Sequence, residues 1–354
     1  MNRGWLRGIA IPLLTAAMLV VSACGSKPAG APAPAADPAA AAAPAPKKAI
    51  KVGYVNVMDD AQAMLAKDAG FYEKNGLDVE LVLFDSGTDL IKGIVGGQLQ
   101  AGVLGFTNAA SWAAKGADLK VVGGAQMGYH SILVKKGSGI KTVADLKGKK
   151  IATQQKGSTA DIVLTGVVLP QAGLKKDDLQ MVYVSPAVAI QSLAAGQVDA
   201  AFIFEPYEQI AGATSEVEAI YEIGKVWPFP CMVVITSGKM LAEDRATVDA
   251  LLNAQQEAIT MLEKQPADAA KLLTKRFIAD ESLTGPAGQK VASVDVIQKA
   301  IESQMFHWEI TQEEVKRMQE VVELMVGQGI LTESIQVESF LDLTWQKGRP
   351  GNGH

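Results

Sequence analysis

Between residues 50 and 108 the apolar positions switch period repeatedly, and the switches predict strand, helix, strand, helix, strand. Ala61, Met64 and Leu65 make a stripe at helical spacing. Asp59 or Asp60 is placed to cap that helix, and Gly70 to end it in left-handed backbone. Leu77, Val79, Leu81 and Leu83 alternate with Asp78, Glu80, Val82 and Phe84, which predicts a strand with one firmly buried face. Ser86-Gly87-Thr88 opens the next helix, which carries Leu90, Ile91, Ile94 and Val95. Two further strands are predicted at 120–126 and 131–135, on either side of the polar turn Met127-Gly128-Tyr129-His130. From Ser237 onward the pattern is helical. Thr311-Gln312-Glu313-Glu314 is a capping box, and Val315, Met318, Val322 and Met325 form one apolar stripe on the helix behind it.

The pattern also repeats. Residues 79–104 run strand, helix, Gly97-Gln98 turn, strand, and residues 181–203 run strand, helix, Gly196-Gln197 turn, strand. Two equivalent units predict two similar lobes facing one another. Each predicted strand ends in a short polar turn. In an open α/β sheet such turns line a ligand crevice, because free N–H groups and helix N-termini converge there. Gly157-Ser158-Thr159 has this character, with Ser158 serving either as the cap of the helix or as a hydroxyl facing an anion.

The start of the chain changes the picture. Residues 1–23 hold Arg3 and Arg7, then an apolar run at 9–21, then Val21-Ser22-Ala23 before Cys24. That is a secretory signal, too short in its apolar part for a membrane span of about 20 residues. Val-Ser-Ala-Cys matches the bacterial lipoprotein box and implies cleavage before Cys24 with lipid on its sulfur. Residues 24–49 are mostly Ala, Pro, Gly and Lys, an extended tether between the anchor and the folded part. With 354 residues, 48% hydrophobic and 20% charged, the remainder is long enough for two cores. A formal charge of −5 without basic clusters argues against nucleic acid. Two cysteines, Cys24 and Cys231, provide no disulfide framework.

Catalytic chemistry finds little support. The three histidines, His130, His307 and His354, lack metal-ligand spacing, and no G-x-S-x-G elbow or G-x-x-x-x-G-K-[ST] phosphate loop occurs. No metal and no cofactor is expected. His130 alone falls near the predicted crevice, as a ligand contact or as a hydrogen-bonded turn residue. Trp112 and Trp308 are expected in the core, with stacking on a ligand as the alternative.

Several stretches resemble a known family. Gly53-Tyr54, the run from Ala66-Lys67-Asp68-Ala69-Gly70-Phe71-Tyr72 through Asn75-Gly76-Leu77-Asp78-Val79, and Ser86-Gly87 are similar to the opening of ABC-transporter solute-binding proteins of the nitrate, sulfonate and taurine branch. That branch is related to the fungal thiamine-pyrimidine synthases. The resemblance continues through Lys141-Thr142-Val143-Ala144-Asp145-Leu146-Lys147-Gly148, an entry to a second lobe, and Glu205-Pro206-Tyr207 at the cleft. Gln100 departs from it, standing where the family carries an aspartate like Asp199.

The resemblance implies a type II periplasmic-binding-protein fold of class α/β. Two α/β lobes would be joined by a hinge of two crossings, with C-terminal helices packed on the first lobe. The expected divisions are a lipoprotein signal peptide at 1–23, a tether at 24–49, lobe I at 50–137, lobe II at 138–230, lobe I again at 231–346, and a tail at 347–354. Crossings are expected near 136–140 and 228–232. Candidate ligand contacts are Asn56, Asp59, Asp60, Ser86 and Gly87; Phe106, Thr107 and Asn108; Met127, Tyr129 and His130; Gln154, Lys156, Gly157, Ser158 and Thr159; Glu205, Tyr207 and Trp227. Glu205 would either accept from a ligand amine or tie the lobes together.

The implied protein is an extracytoplasmic, lipid-anchored monomer that binds a small solute and meets an ABC permease with its ATPase. A synthase-like enzyme and a sensing module for a membrane receptor are the competing readings. The predicted cleft turns hold Lys156 and no arginine, since Arg245 and Arg276 fall in the C-terminal helices. A doubly charged anion gripped by a bidentate arginine is therefore disfavoured. Tyr129, Phe106, Asn108, Gln154 and Tyr207 suit a small organic molecule with one anionic end, or a neutral heterocycle.

Overall fold

A computed structural model describes residues 46–349. The signal segment, Cys24, the tether up to residue 45 and the tail from residue 350 lie outside the described residues. The strand register places Lys48 and Ala49 in the first strand, so the fold begins slightly before the expected tether boundary at 49.

The chain builds two five-stranded sheets. The first contains β1 (Lys48–Tyr54), β2 (Leu77–Leu83), β3 (Ala101–Gly105), β4 (Lys120–Met127) and, from later in the chain, Pro230–Thr236. The second contains β5 (His130–Lys135), β6 (Lys150–Thr153), β7 (Gln180–Tyr183), β8 (Ala200–Phe204) and β9 (Val217–Glu222). With Pro230–Thr236 as β10, the strand orders are β2-β1-β3-β10-β4 and β7-β6-β8-β5-β9. In each sheet the first three strands are parallel, and the fourth in the order runs antiparallel to both of its neighbours. That fourth strand arrives from the other sheet, so the two lobes exchange strands at the hinge.

The internal repeat is reproduced at atomic level. Gln100 Oε1 accepts from the Lys51 N–H at 2.7 Å, and Asp199 Oδ2 accepts from the Lys150 N–H at 2.8 Å. Both side chains hold the backbone of the neighbouring parallel strand, Asp199 at its first residue and Gln100 at its middle. A side-chain carbonyl suffices for this, so the departure at Gln100 leaves the architecture intact.

Four expectations are corrected. The first crossing runs through residues 128–129 rather than 136–140, because His130–Lys135 pairs with β8 and β9 of the second sheet. The second crossing, residues 223–229, ends as β10 begins at Pro230, close to where it was expected. Asp59 and Asp60 do not cap the helix Ala61–Asp68; Asp60 Oδ2 instead accepts from the Val55 N–H at 2.8 Å. The alternation in β2 fades at its end: Leu77 and Val79 are buried, but Leu83, at the tip of an edge strand, is 54% exposed. The C-terminal part is not wholly helical. A hairpin of β11 (Ser282–Thr284) and β12 (Lys290–Ala292) interrupts it, turning at Gly285 to Gln289, where Gly288 has φ +82°.

Helices cover both faces of the first sheet. Ala61–Asp68, Gly238–Lys264, Pro266–Phe277 and Ser293–Glu302 bury Met64, Leu65, Leu251, Ile259, Leu273 and Ile297 against one face. The capped helix Gln312–Gly327 presents Val315, Met318, Val322 and Met325 to the other, in the pattern its stripe predicts, and also reaches the second lobe, where Gln328 Nε2 donates to the Ile162 carbonyl. No helix among the described residues is long and apolar enough to cross a membrane.

Candidate ligand-binding cleft

The carboxyl ends of the parallel strands of both sheets face a shared cavity of about 460 Å³. From the first lobe its walls include Val55, Val57, Asp59, Asp85, Ser86, Gly87, Thr88, Gly105, Asn108, Ser111, Trp112, Lys115, Cys231 and Met232. From the second they include His130, Gln154, Gln155, Lys156, Gly157, Ser158, Thr159 and Phe204.

Local sequence sets the chemistry of these walls. Ser86 caps the helix Gly87–Val95 by accepting from the Asp89 N–H, and Ser158 caps the helix beginning at Thr159 by accepting from the Asp161 N–H. A third helix, Phe106–Ala113, starts directly from β3 at Gly105. Three helix N-termini, Lys115 and Lys156 therefore border the space, an arrangement that favours a negative group. Ser158 is both a cap and a wall residue. The Lys115 ammonium lies 5.9 Å from the centre of the Trp112 ring.

The hinge end is different. Asp59, His130 and Cys231 are almost completely buried yet reach the cavity wall. Burial pushes the Asp59 carboxyl up to about 8 and the His130 imidazole down to about 4, so both are uncharged near neutral pH. Burial, then the nearby Asp59 and Asp60, holds the Cys231 thiol well above its usual range. The His130 ring stacks on Phe202 at 5.4 Å and meets Phe204 edge-on at 5.6 Å.

Of the candidate contacts, Asp59, Ser86, Gly87, Asn108, His130, Gln154, Lys156, Gly157, Ser158 and Thr159 line the cavity. The others do not, each because its side chain is engaged elsewhere. Asn56 Nδ2 donates to the Arg276 carbonyl, and Asp60 holds Val55. Phe106 is buried in the core, stacked with Phe340. Met127 is buried on β4. Tyr129 lies beside Glu222, whose charge adds to burial in raising its phenol. Tyr207 packs edge-on against Phe204 at 5.8 Å. Trp227 packs at a tilt against Phe229 and lies under the Arg317 guanidinium. Thr107 hydrogen-bonds Thr159 across the lobes at 2.7 Å.

Glu205 makes hydrogen bonds across the lobes. Its Oε1 accepts from Ser303 Oγ at 2.8 Å, and its carbonyl accepts from the Met58 N–H at 3.3 Å. Burial, then the charge of Glu208, pushes its carboxyl up to about 8.

Trp112, Lys115 and Cys231 are wall residues that sequence reasoning missed or assigned to the core. Trp112 and Lys115 lie on and just beyond the helix whose start, at Phe106 to Asn108, was already a candidate. Extending that stretch by two turns would have found them.

The Thr107–Thr159 bond gives a direct test of how the lobes are held. Thr107→Val keeps the shape but leaves a buried hydroxyl without its partner. It should lower unfolding free energy in urea by about 1 kcal/mol, and Thr107→Ser should lose less.

Two mixed sheets with an interlobe cavity and a double crossing define a two-lobed solute-binding protein of the periplasmic type. Residues 43–276 match the model of the NMT1-like family, and the chain belongs to that family. A Brucella abortus protein named as a binding protein is 27% identical over 239 residues, 66% of this chain and 73% of that one. The taurine-binding periplasmic protein of Escherichia coli is 26% identical over 245 residues, 67% of this chain and 75% of that one. The crystal structure of the periplasmic aliphatic sulphonate binding protein of Escherichia coli matches with a TM-score of 0.71 at 25% identity, covering 84% of this chain and 98% of that one.

Proposed function

We propose that this protein is the extracytoplasmic solute-binding component of an ABC importer, and that it captures a small organic anion of the sulfonate or carboxylate type between its lobes. The observation that carries this reading is the cavity whose two walls come from different sheets and which three helix N-termini and two lysines border. A solute touching both walls stabilises the closed arrangement by its differential affinity for it, and a membrane permease would then recognise that arrangement.

The names of the relatives support a sulfonate-like solute and a role in binding rather than catalysis. None of the three buried titratable wall residues is poised as a base near neutral pH, because Asp59 and Cys231 keep their protons and His130 has too low an affinity for one. The motif ending at Cys24 supports attachment to the membrane by lipid, and a Cys24→Ala chain should leave the membrane fraction for the soluble one.

Thermal melting of the purified protein against alkanesulfonates, taurine, nitrate, aromatic carboxylates and pyrimidines tests the reading. A rise of several degrees with the organic sulfonates or carboxylates is expected. A response to the neutral pyrimidines alone would overturn the anionic assignment.

A further inference from the structure

The cavity has two chemically different ends. Its outer end, after β2 and β6, carries the helix starts at Gly87 and Thr159 and Lys156. Its inner end lies beside the crossings, where β10 and β5 begin and where the short turn Met58–Asp60 packs against β4 and β10. There Asp59 is 2% and His130 3% exposed, and neither Asp59 Oδ1 nor His130 Nδ1 has a hydrogen-bond partner among the described residues. Buried polar atoms are ordinarily paired, and two wall residues of one cavity that each hold an unpaired atom point to a partner that arrives with the solute.

Resting on the sulfonate or carboxylate reading, we propose that Asp59 and His130 form a second recognition pole for a hydrogen-bonding group of the solute. The solute then carries a neutral hydrogen-bonding group, such as a hydroxyl, at the end opposite its anionic group. A hydroxyl matches this pole because it can both donate and accept, as a protonated carboxyl and a neutral imidazole each require. A second anionic group would have to enter beside buried acids without a counter-charge.

The test is calorimetric titration with ethanesulfonate, butanesulfonate and benzenesulfonate, each paired with its terminally hydroxylated and terminally aminated counterpart. The readout is the affinity ratio within each set. The hydroxyl should improve affinity by at least about tenfold for one or more sets. The gain should fall below about threefold in His130→Phe and Asp59→Leu, and persist in Asp59→Asn, whose neutral amide still donates and accepts. Circular dichroism melting confirms that each variant is folded, and His130→Phe alone decides the matter if Asp59→Leu is not. Parent sulfonates that bind with no hydroxyl gain in any set would overturn the second pole while leaving the sulfonate reading in place. An amine gain that Asp59→Asn abolishes would overturn it too, making Asp59 a counter-charge. Failure of every sulfonate to bind would overturn the sulfonate form of the reading and the inference drawn on it.

Discussion

Raising the pH from 6.5 to 8 should weaken the fold by about 2 kcal/mol for each of two buried carboxyls, Asp59 and Glu205. Both carboxyls are lifted to about 8 in the folded chain, Asp59 from 3.8 and Glu205 from 4.5. The folded state therefore binds more protons than the unfolded state between those values, and stability falls as pH climbs through that window. Asp60, raised by burial, acts in the same direction. His130 has the opposite sign, because its folded value drops to about 4 from 6.5. Its cost is confined to pH below about 6.5, outside the window tested. Urea unfolding at pH 6.5 and pH 8 measures the slope. Asp59→Asn and Glu205→Gln should each remove about half of the contribution of this pair. A profile that is flat in the native chain and unchanged in the variants would contradict the buried, protonated carboxyls.

The second large effect is expected at Gly128. This residue lies in the first crossing, its N–H donates to the Phe229 carbonyl of the second crossing at 2.6 Å, and a β-carbon there would overlap the Phe229 ring. The ring cannot retreat easily, since Phe229 is 1% exposed and Trp227 lies against it. Gly128→Ala should therefore cost about 3 kcal/mol in urea unfolding. Gly128→Ala combined with Phe229→Leu should recover part of the loss by making room. Equal stability of Gly128→Ala and the native chain would mean that the crossings are not packed together.

Much of the fold is legible from period and caps, because those signals are local. Ser86 and Ser158 open helices as the sequence predicts, the Thr311 and Glu314 box is formed, and the two strand-helix-strand copies occupy equivalent places in the two sheets. The first crossing was not legible for a physical reason. A strand, a turn holding glycine and a second strand read as one hairpin, yet β4 and β5 never pair and lie in different sheets. Only the competition among distant strands for partners decides this, and no local pattern carries it. The same limit applies to Asp59 and Asp60. Two acids before a helix read as caps in water, whereas burial in the hinge gives them other work. Cys231, ahead of Val233, Val234 and Ile235, has the pattern of an ordinary core strand, and only the position of β10 at the lobe boundary brings its thiol to the cavity.

The claim that one solute is gripped by both lobes is tested most directly by calorimetric titration of an alkanesulfonate into the native chain and into one variant from each wall. Asn108→Ala alters the first-lobe wall and Gln154→Ala the second. Stoichiometry of one, with affinity reduced by about tenfold in each variant separately, is the result predicted. Full affinity in both variants, or dependence on one lobe alone, would contradict the account.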